Sequence, residues 1–113
     1  MAERSTNVTL INQTPFALGL TSDNVSDGEW DTQPPASITA GESGNWQTEN
    51  SSFMTGTGGS ATYQFSVGTI FIEWSNPYIG DNSYNVSAPR GYSLNQDGGG
   101  GDNAYVSFTL AQA

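Results

Sequence analysis

Short runs in which apolar residues recur at every second position constrain this chain more than any other feature. Side chains two residues apart lie on the same face of a β-strand, so this period predicts strands with one buried and one exposed face. No stretch keeps a helical period over three turns. The chain is therefore predicted to be all-β. The alternating apolar positions are Val8 and Leu10; Phe16, Leu18 and Leu20; Tyr63, Phe65 and Val67; Ile70, Ile72 and Trp74; Tyr84 and Val86; and Val106, Phe108 and Leu110.

Turn residues separate these runs about every eight to twelve residues, which is typical of a β-sandwich. A chain of 113 residues is long enough for one domain with one modest core. We therefore predict a single-domain β-sandwich of about seven or eight mainly antiparallel strands, formed by residues 6–113 after a disordered tail of residues 1–5. Residues 22–37 are polar and contain Pro34-Pro35, so they are predicted to form a long loop or an edge excursion around Trp30.

The composition removes several classes of function. The chain has no cysteine and no histidine, so disulfides, the most common metal ligand and the most common general base are all missing. Its only basic side chains are Arg4 and Arg90 against eleven carboxylates, which gives a formal net charge of −9. Nucleic-acid binding needs a basic patch, and no nucleic-acid partner is therefore expected.

Acidic residues are the remaining candidates for catalysis or for metal binding. Paired carboxylates can hydrolyse glycosides, and the available pairs are Glu29 with Asp31, or Glu73 with another acid. Glu73, however, alternates outward between Ile72 and Trp74, as a solvated strand residue does. The acid-rich turns match no EF-hand calcium loop, and Asp, Asn and Gly are ordinary turn residues. We therefore predict a non-enzymatic protein with no cofactor and no metal site.

The chain begins Met1-Ala2-Glu3-Arg4-Ser5, without the apolar segment of a signal peptide. No run of residues reaches the length of a membrane span. We expect a protein that is cytoplasmic or released without a cleaved leader.

Aromatic residues and a proline crowd into the polar segment that follows Ile72. Trp74, Pro77, Tyr78 and Tyr84 lie within eleven residues. Trp74 keeps the phase of the strand and is expected in the core, whereas Tyr78 follows Pro77 where no alternation would bury it. A tyrosine has a flat apolar ring and a polar tip, which suits membrane interfaces and sugar faces alike. The segment is therefore the candidate binding surface, and the alternative is that these rings close the open end of a small core.

Three segments form a recognisable pattern. Residues 55–63 read TGTGGSATY, residues 72–86 read IEWSNPYIGDNSYNV, and residues 7–14 read NVTLINQT. The first two are similar to a glycine turn with its strand, and to a strand, S-x-P-Y loop and following strand, in the actinoporin-like β-sandwich cytolysins. The third resembles a first strand shared with the aegerolysins. A proline, an isoleucine and a glycine would fill a further stretch typical of this superfamily: Pro35, Ile38 and Gly41.

The resemblance implies a sandwich that binds a membrane lipid headgroup at one end. In that family the ligand is typically a phosphocholine-type sphingolipid, and another zwitterionic lipid headgroup would be equivalent in charge. Ser75, Pro77 and Tyr78 match the loop that cradles the headgroup. Tyr84 matches an aromatic residue on the neighbouring wall. These four residues are the predicted ligand-binding site.

Trp30 and Trp46 are the candidates for membrane contact, with a core position as the alternative for Trp46. The chain departs from the actinoporins, which are usually basic and form pores with an N-terminal amphipathic helix. An acidic chain whose first strand begins near residue 6 looks more like the aegerolysins, which bind specific lipids and commonly need a separate pore-forming partner. We expect docking at a target-cell membrane surface without spanning it, with a partner protein or a homo-oligomer completing any pore.

Two other functions stay open. Related fungal lectins use the same sandwich to bind sugars, and a chain rich in aromatic, Asn and Asp side chains suits a glycan ligand. The third possibility is a structural or interaction protein that uses an exposed sheet edge or a homo-oligomer interface.

Overall fold

The computed structural model describes residues 3–113, which form ten β-strands in two five-stranded sheets. No helix occurs in this range, and none is therefore long and apolar enough to cross a membrane. The all-β class is confirmed, with ten strands where the sequence predicts seven or eight. The strands are β1 (Arg4–Asn12), β2 (Leu18–Asp27), β3 (Glu29–Thr32), β4 (Ser37–Ile38), β5 (Ser43–Asn50), β6 (Thr57–Phe65), β7 (Gly68–Asn76), β8 (Ser83–Ser87), β9 (Tyr92–Gly98) and β10 (Asn103–Gln112).

The two sheets pack face to face as a sandwich. The strand order is β3-β5-β1-β10-β9 in the first sheet and β4-β2-β6-β7-β8 in the second. β1 and β10 pair in parallel, from Ser5 opposite Asn103 to Asn12 opposite Leu110. The other strand pairs of residues 3–113 are antiparallel, so the prediction of mainly antiparallel strands is confirmed.

β1 begins earlier than the domain boundary that the sequence predicts. Arg4 and Ser5, predicted to belong to a disordered tail, lie in the strand. Arg4 pairs with Asn50, and the buried Ser5 donates its hydroxyl to Oδ1 of Asn103 at 2.7 Å. Pairing with β5 on one side and β10 on the other fixes this start. The rest of the predicted tail includes residues 1 and 2, which lie outside the described residues.

Polar segments form strands that the apolar alternation does not reveal. β2 continues to Asp27 and β3 spans Glu29–Thr32, both inside the segment predicted to be a long loop or an edge excursion. β9 (Tyr92–Gly98) is also mostly polar. β3 and β9 are edge strands, and β4 covers β2 only at Leu18 and Gly19. Strands with this much surface in water need little apolar character, so their backbone pairing leaves no apolar period in the sequence.

The core between the sheets is built around three aromatic rings. Trp46, Tyr63 and Trp74 are at most 1% exposed, and the Trp46 ring lies 5.9 Å from that of Tyr63 and 6.1 Å from that of Trp74. Nε1 of Trp74 donates to Oγ1 of Thr48 at 2.8 Å. Trp74 is therefore a core residue, as its strand phase predicts. The prediction that Trp46 contacts a membrane is wrong, because β5 directs this ring inward onto the other two.

Three loops meet at one end of the sandwich, which we call the cleft end. They are residues 51–56 between β5 and β6, residues 77–82 between β7 and β8, and residues 99–102 between β9 and β10. β1 begins at the same end, where Arg4 pairs with Asn50. The β6–β7 hairpin lies at the opposite end.

Candidate functional site

A cleft of about 350 Å³ opens between residues 77–82 and residues 99–102. This volume is within the range of small-molecule binding sites. Pro77 and Tyr78, two of the four residues predicted to bind a headgroup, line the cleft. The full lining is Asn76, Pro77, Tyr78, Gly80, Asp81, Asn82, Gly99, Gly100, Gly101 and Asp102.

Asn76 fixes the start of the 77–82 loop. It is the last residue of β7 and is buried, and its side-chain amide donates to the carbonyl oxygens of Ser5 at 3.0 Å and Asp102 at 2.9 Å. A buried amide that satisfies two backbone carbonyls is costly to remove, because both acceptors would lose their partner. The side chain therefore ties the start of the 77–82 loop to β1 in the other sheet and to the 99–102 loop.

The 99–102 loop is held by hydrogen bonds from the other wall. Nδ2 of Asn82 donates to the carbonyl oxygens of Gly99 at 3.0 Å and Gly101 at 2.9 Å. Gly99 and Gly101 have φ values of 111° and 92°, which residues other than glycine rarely adopt. The glycine run, which reads as a flexible loop in the sequence, is a wall whose backbone shape depends on glycine.

Tyr84 supports this wall from behind rather than lining the cleft. Its hydroxyl donates to the Gly99 carbonyl oxygen at 2.8 Å, and its ring packs edge-on against Phe108 at 6.0 Å. Burial raises the pKa of the Tyr84 hydroxyl, and a hydrogen bond with Asn82 partly opposes the rise. The hydroxyl therefore stays a neutral donor at physiological pH.

Arg4 places a positive charge beside the cleft, which sequence reasoning missed. Its guanidinium lies 5.0 Å from the centroid of the Tyr78 ring, and its Nη2 donates to the Tyr78 carbonyl oxygen at 3.2 Å. Nη1 also lies 3.6 Å from a carboxylate oxygen of Asp102 and 3.8 Å from one of Glu3. The side chain is only 11% exposed, so the aromatic ring and the first strand hold the charge in place.

Carboxylates supply the opposite charge on the cleft lining. Asp81 comes from one loop and Asp102 from the other. Within residues 3–113 no three Asp or Glu side chains converge as a metal site would require. Asp81, Asn82 and Asp102 carry ordinary turn-residue signals in the sequence, so only the fold reveals that they face one cleft.

Ser75 does not join Pro77 and Tyr78. Successive side chains of a strand point to opposite faces, so Ser75 lies on the exposed outer face of β7 while Asn76 points inward. It lines a separate hollow of about 160 Å³ with serine, acid and amide neighbours. The residues of this outer hollow are Ser26, Glu73, Trp74, Ser75, Ser83 and Asn85.

Trp30 lies on β3 and is half-buried, with its ring 6.0 Å from that of Trp74. It packs against the core and does not line the cleft. Of the two tryptophans predicted to contact a membrane, Trp46 therefore lies in the core and Trp30 lies at its margin.

No family model matches the sequence. One curated relative is an uncharacterized protein of Dictyostelium discoideum, which is 28% identical over 88 residues. The match covers 76% of this chain and 8% of that protein, so the chain spans a small part of its relative's length.

Among solved structures, the chain is similar to the crystal structure of the lipid binding protein Nakanori. The TM-score is 0.83, and the match covers 99% of this chain and 73% of that chain at 14% sequence identity. At this identity the likeness shows a shared fold. It supports the predicted β-sandwich fold.

Proposed function

We propose that this protein is a non-catalytic lipid-binding protein and that its cleft takes the zwitterionic headgroup of a phospholipid, such as that of a phosphocholine-type sphingolipid. The observation that carries the proposal is the cleft itself, which brings together a tyrosine ring, two carboxylates and a held arginine. The fold shared with a lipid-binding protein is consistent with it.

The cationic half of such a headgroup has partners on the cleft lining. A quaternary ammonium is attracted to the face of an aromatic ring and to nearby carboxylates. Tyr78, Asp81 and Asp102 all line the cleft. Arg4 already lies over one face of Tyr78, so the proposal places the ammonium group at the remaining surface of the ring and near the acids.

The anionic half would lie toward Arg4. Of the two arginines, Arg4 is beside the cleft, whereas Arg90 follows β8 at the opposite end of the sandwich. A guanidinium is a good donor to phosphate oxygens. The formal net charge of −9 opposes binding to an anionic lipid surface, and a headgroup with no net charge avoids that repulsion.

A vesicle co-sedimentation assay tests the proposal. We expect binding to phosphatidylcholine and sphingomyelin vesicles that depends on headgroup identity more than on ionic strength. Tyr78→Ala should weaken it on the order of tenfold, because it removes the cleft's aromatic face. Tyr105→Ala is the matched control, since Tyr105 is 71% exposed outside the cleft. Binding only to anionic vesicles, with steep salt dependence, would contradict the proposal.

Carbohydrate binding is the second candidate, and the outer hollow around Ser75 favours it. Hydroxyl, amide and carboxylate groups suited to sugar hydroxyls surround this hollow. A glycan array with specific hits that Asn85→Ala abolishes, together with inert vesicles, would favour this function. Cytolysis, whether with a pore-forming partner protein or as a homo-oligomer, stays a prediction.

A further inference from the structure

We propose that Phe53, Met54 and Ile79 form an apolar anchor that enters the acyl boundary of a zwitterionic bilayer while a headgroup occupies the cleft. The inference rests on the proposed function and names the part of the protein that would touch the lipid tails. No tryptophan belongs to this anchor.

The anchor residues are exposed to a degree that folding alone does not explain. Phe53 and Ile79 are each 80% exposed and Met54 is 56% exposed. Single exposed apolar residues are common on protein surfaces, but several at one end mark an interaction site. Of the five large apolar side chains exposed in residues 3–113, these three are on loops of the cleft end.

The two loops that carry the anchor touch each other beside the cleft. A Cβ added to Gly56 would lie 2.6 Å from the Asn76 carbonyl oxygen and 2.8 Å from Cα of Pro77. The 51–56 loop therefore packs directly on the start of the 77–82 loop. Since the 77–82 loop also lines the cleft, a headgroup in the cleft and lipid tails at the anchor could belong to the same membrane surface.

Hydrogen bonds hold the 51–56 loop in the shape that exposes Phe53. Asn50 donates its side-chain amide to the Gly56 carbonyl at 3.1 Å and accepts from the Ser52 backbone N–H at 3.1 Å. Met54 has a φ of 61°, and it is the one non-glycine residue of positive φ in the described chain. A non-glycine residue persists in this region when surrounding contacts impose it, and such residues cluster at functional sites.

The shape and charge of the anchor fit a bilayer better than a protein partner. Phe53 and Ile79 are 80% exposed and project from their loops, and neither lines the cleft or the outer hollow. Residues 51–56 and 77–82 contain no basic residue and one acid, Asp81. An apolar tip with a single charged residue in its loops penetrates a zwitterionic interface without needing anionic lipid.

Tryptophan reporters test the anchor directly. With phosphatidylcholine vesicles that carry brominated acyl chains, Phe53→Trp should show a blue shift and quenching by bromine. Val67→Trp is the matched control, because Val67 is 44% exposed at the opposite end, in the β6–β7 turn, and should show neither. A vesicle-bound Phe53→Trp protein with an unshifted spectrum would overturn the proposal.

A second measurement separates failure of the anchor from failure of the headgroup site. In Phe53→Ser/Met54→Ser, vesicle affinity should fall on the order of tenfold or more, while binding of soluble glycerophosphocholine is unchanged. Unchanged vesicle affinity would overturn the anchor. A changed oligomeric state without a fall in vesicle affinity would also overturn it. Bromine quenching of Phe53→Trp without any glycerophosphocholine binding by the wild-type protein would support the anchor and contradict the headgroup site.

Discussion

At the end opposite the cleft, aromatic rings close the core. Phe65 packs 5.9 Å from Phe16 and 5.3 Å from Tyr92, and it is almost fully buried. At the cleft end, Phe53 and Ile79 lie in water, and the loops are shaped by amide side chains and by glycines of positive φ. The same apolar residue types thus seal one end and stay available for contact at the other.

Hydrogen bonds to backbone carbonyls, rather than apolar packing, determine the shape of the cleft end. Asn76 and Asn82 each donate to two backbone carbonyls there, and Tyr84 donates to the Gly99 carbonyl that Asn82 also contacts. A loop fixed by hydrogen bonds can keep its apolar side chains outside the core. Stability and binding should therefore respond differently to changes at the two ends.

The largest effect on stability is expected at the closed end. Phe65→Ala removes a buried ring that two other rings contact, and it should lower the free energy of unfolding by about 3–5 kcal/mol. Headgroup binding should stay unchanged at a temperature where the variant is folded, since the cleft is at the other end. Chemical denaturation and a vesicle assay on the same sample check both expectations. A parallel loss of binding by the folded variant would break the distinction between the ends.

A smaller but more specific effect is expected at the glycine wall. In Gly99→Ala, Cβ would lie 2.7 Å from a Tyr84 ring carbon, on a residue whose φ is 111°. We therefore expect the free energy of unfolding to fall by about 1–3 kcal/mol and headgroup binding to weaken. Gly100→Ala is the matched control, because its Cβ would meet nothing within 4 Å. Denaturation midpoints and glycerophosphocholine titrations of the pair test this. Equal behaviour of the two variants would show that the wall's shape does not matter.

The smallest effect is expected from Tyr84→Phe, which removes one hydrogen bond to the Gly99 carbonyl. It should lower the free energy of unfolding by about 0.5–1.5 kcal/mol. Because the folded-state pKa of Tyr84 is raised above 10.0, its contribution is complete below that pH and is lost as the pH rises toward the folded value. Between pH 9 and 11.5 the free energy of unfolding should therefore decrease less steeply with pH for Tyr84→Phe than for the wild-type protein. Identical pH slopes would contradict this role for the hydroxyl.

The alternating strands could be predicted because their faces differ in burial. Ile70, Ile72 and Trp74 point inward as their phase predicts, and continuing that phase places Asn76 inward and Ser75 outward. The resemblance grouped Ser75 with the loop residues, whereas strand phase already separates it from them. The polar edge strands lacked such a signal, since water covers much of their surface.

Beyond Pro77 and Tyr78, the composition of the cleft could not be predicted, because it depends on contacts between distant parts of the chain. Arg4 meets Tyr78 across 74 positions, and the parallel pairing of β1 with β10 brings Arg4 close to Asp102. No local pattern encodes a parallel register between the two ends of the chain. Phe53 and Met54 are an apolar pair in a polar turn, which is a sequence signal for surface contact. The membrane prediction used Trp30 and Trp46 in place of this pair.

An NMR titration with glycerophosphocholine tests whether the cleft is the headgroup site. We expect saturable amide shifts at Arg4, at residues 76–82 and at residues 99–102, and binding that is weaker on the order of tenfold in Tyr78→Ala. Shifts centred on Ser75 and Asn85 in the outer hollow, or no shifts at all, would contradict the proposal that the cleft binds a zwitterionic headgroup.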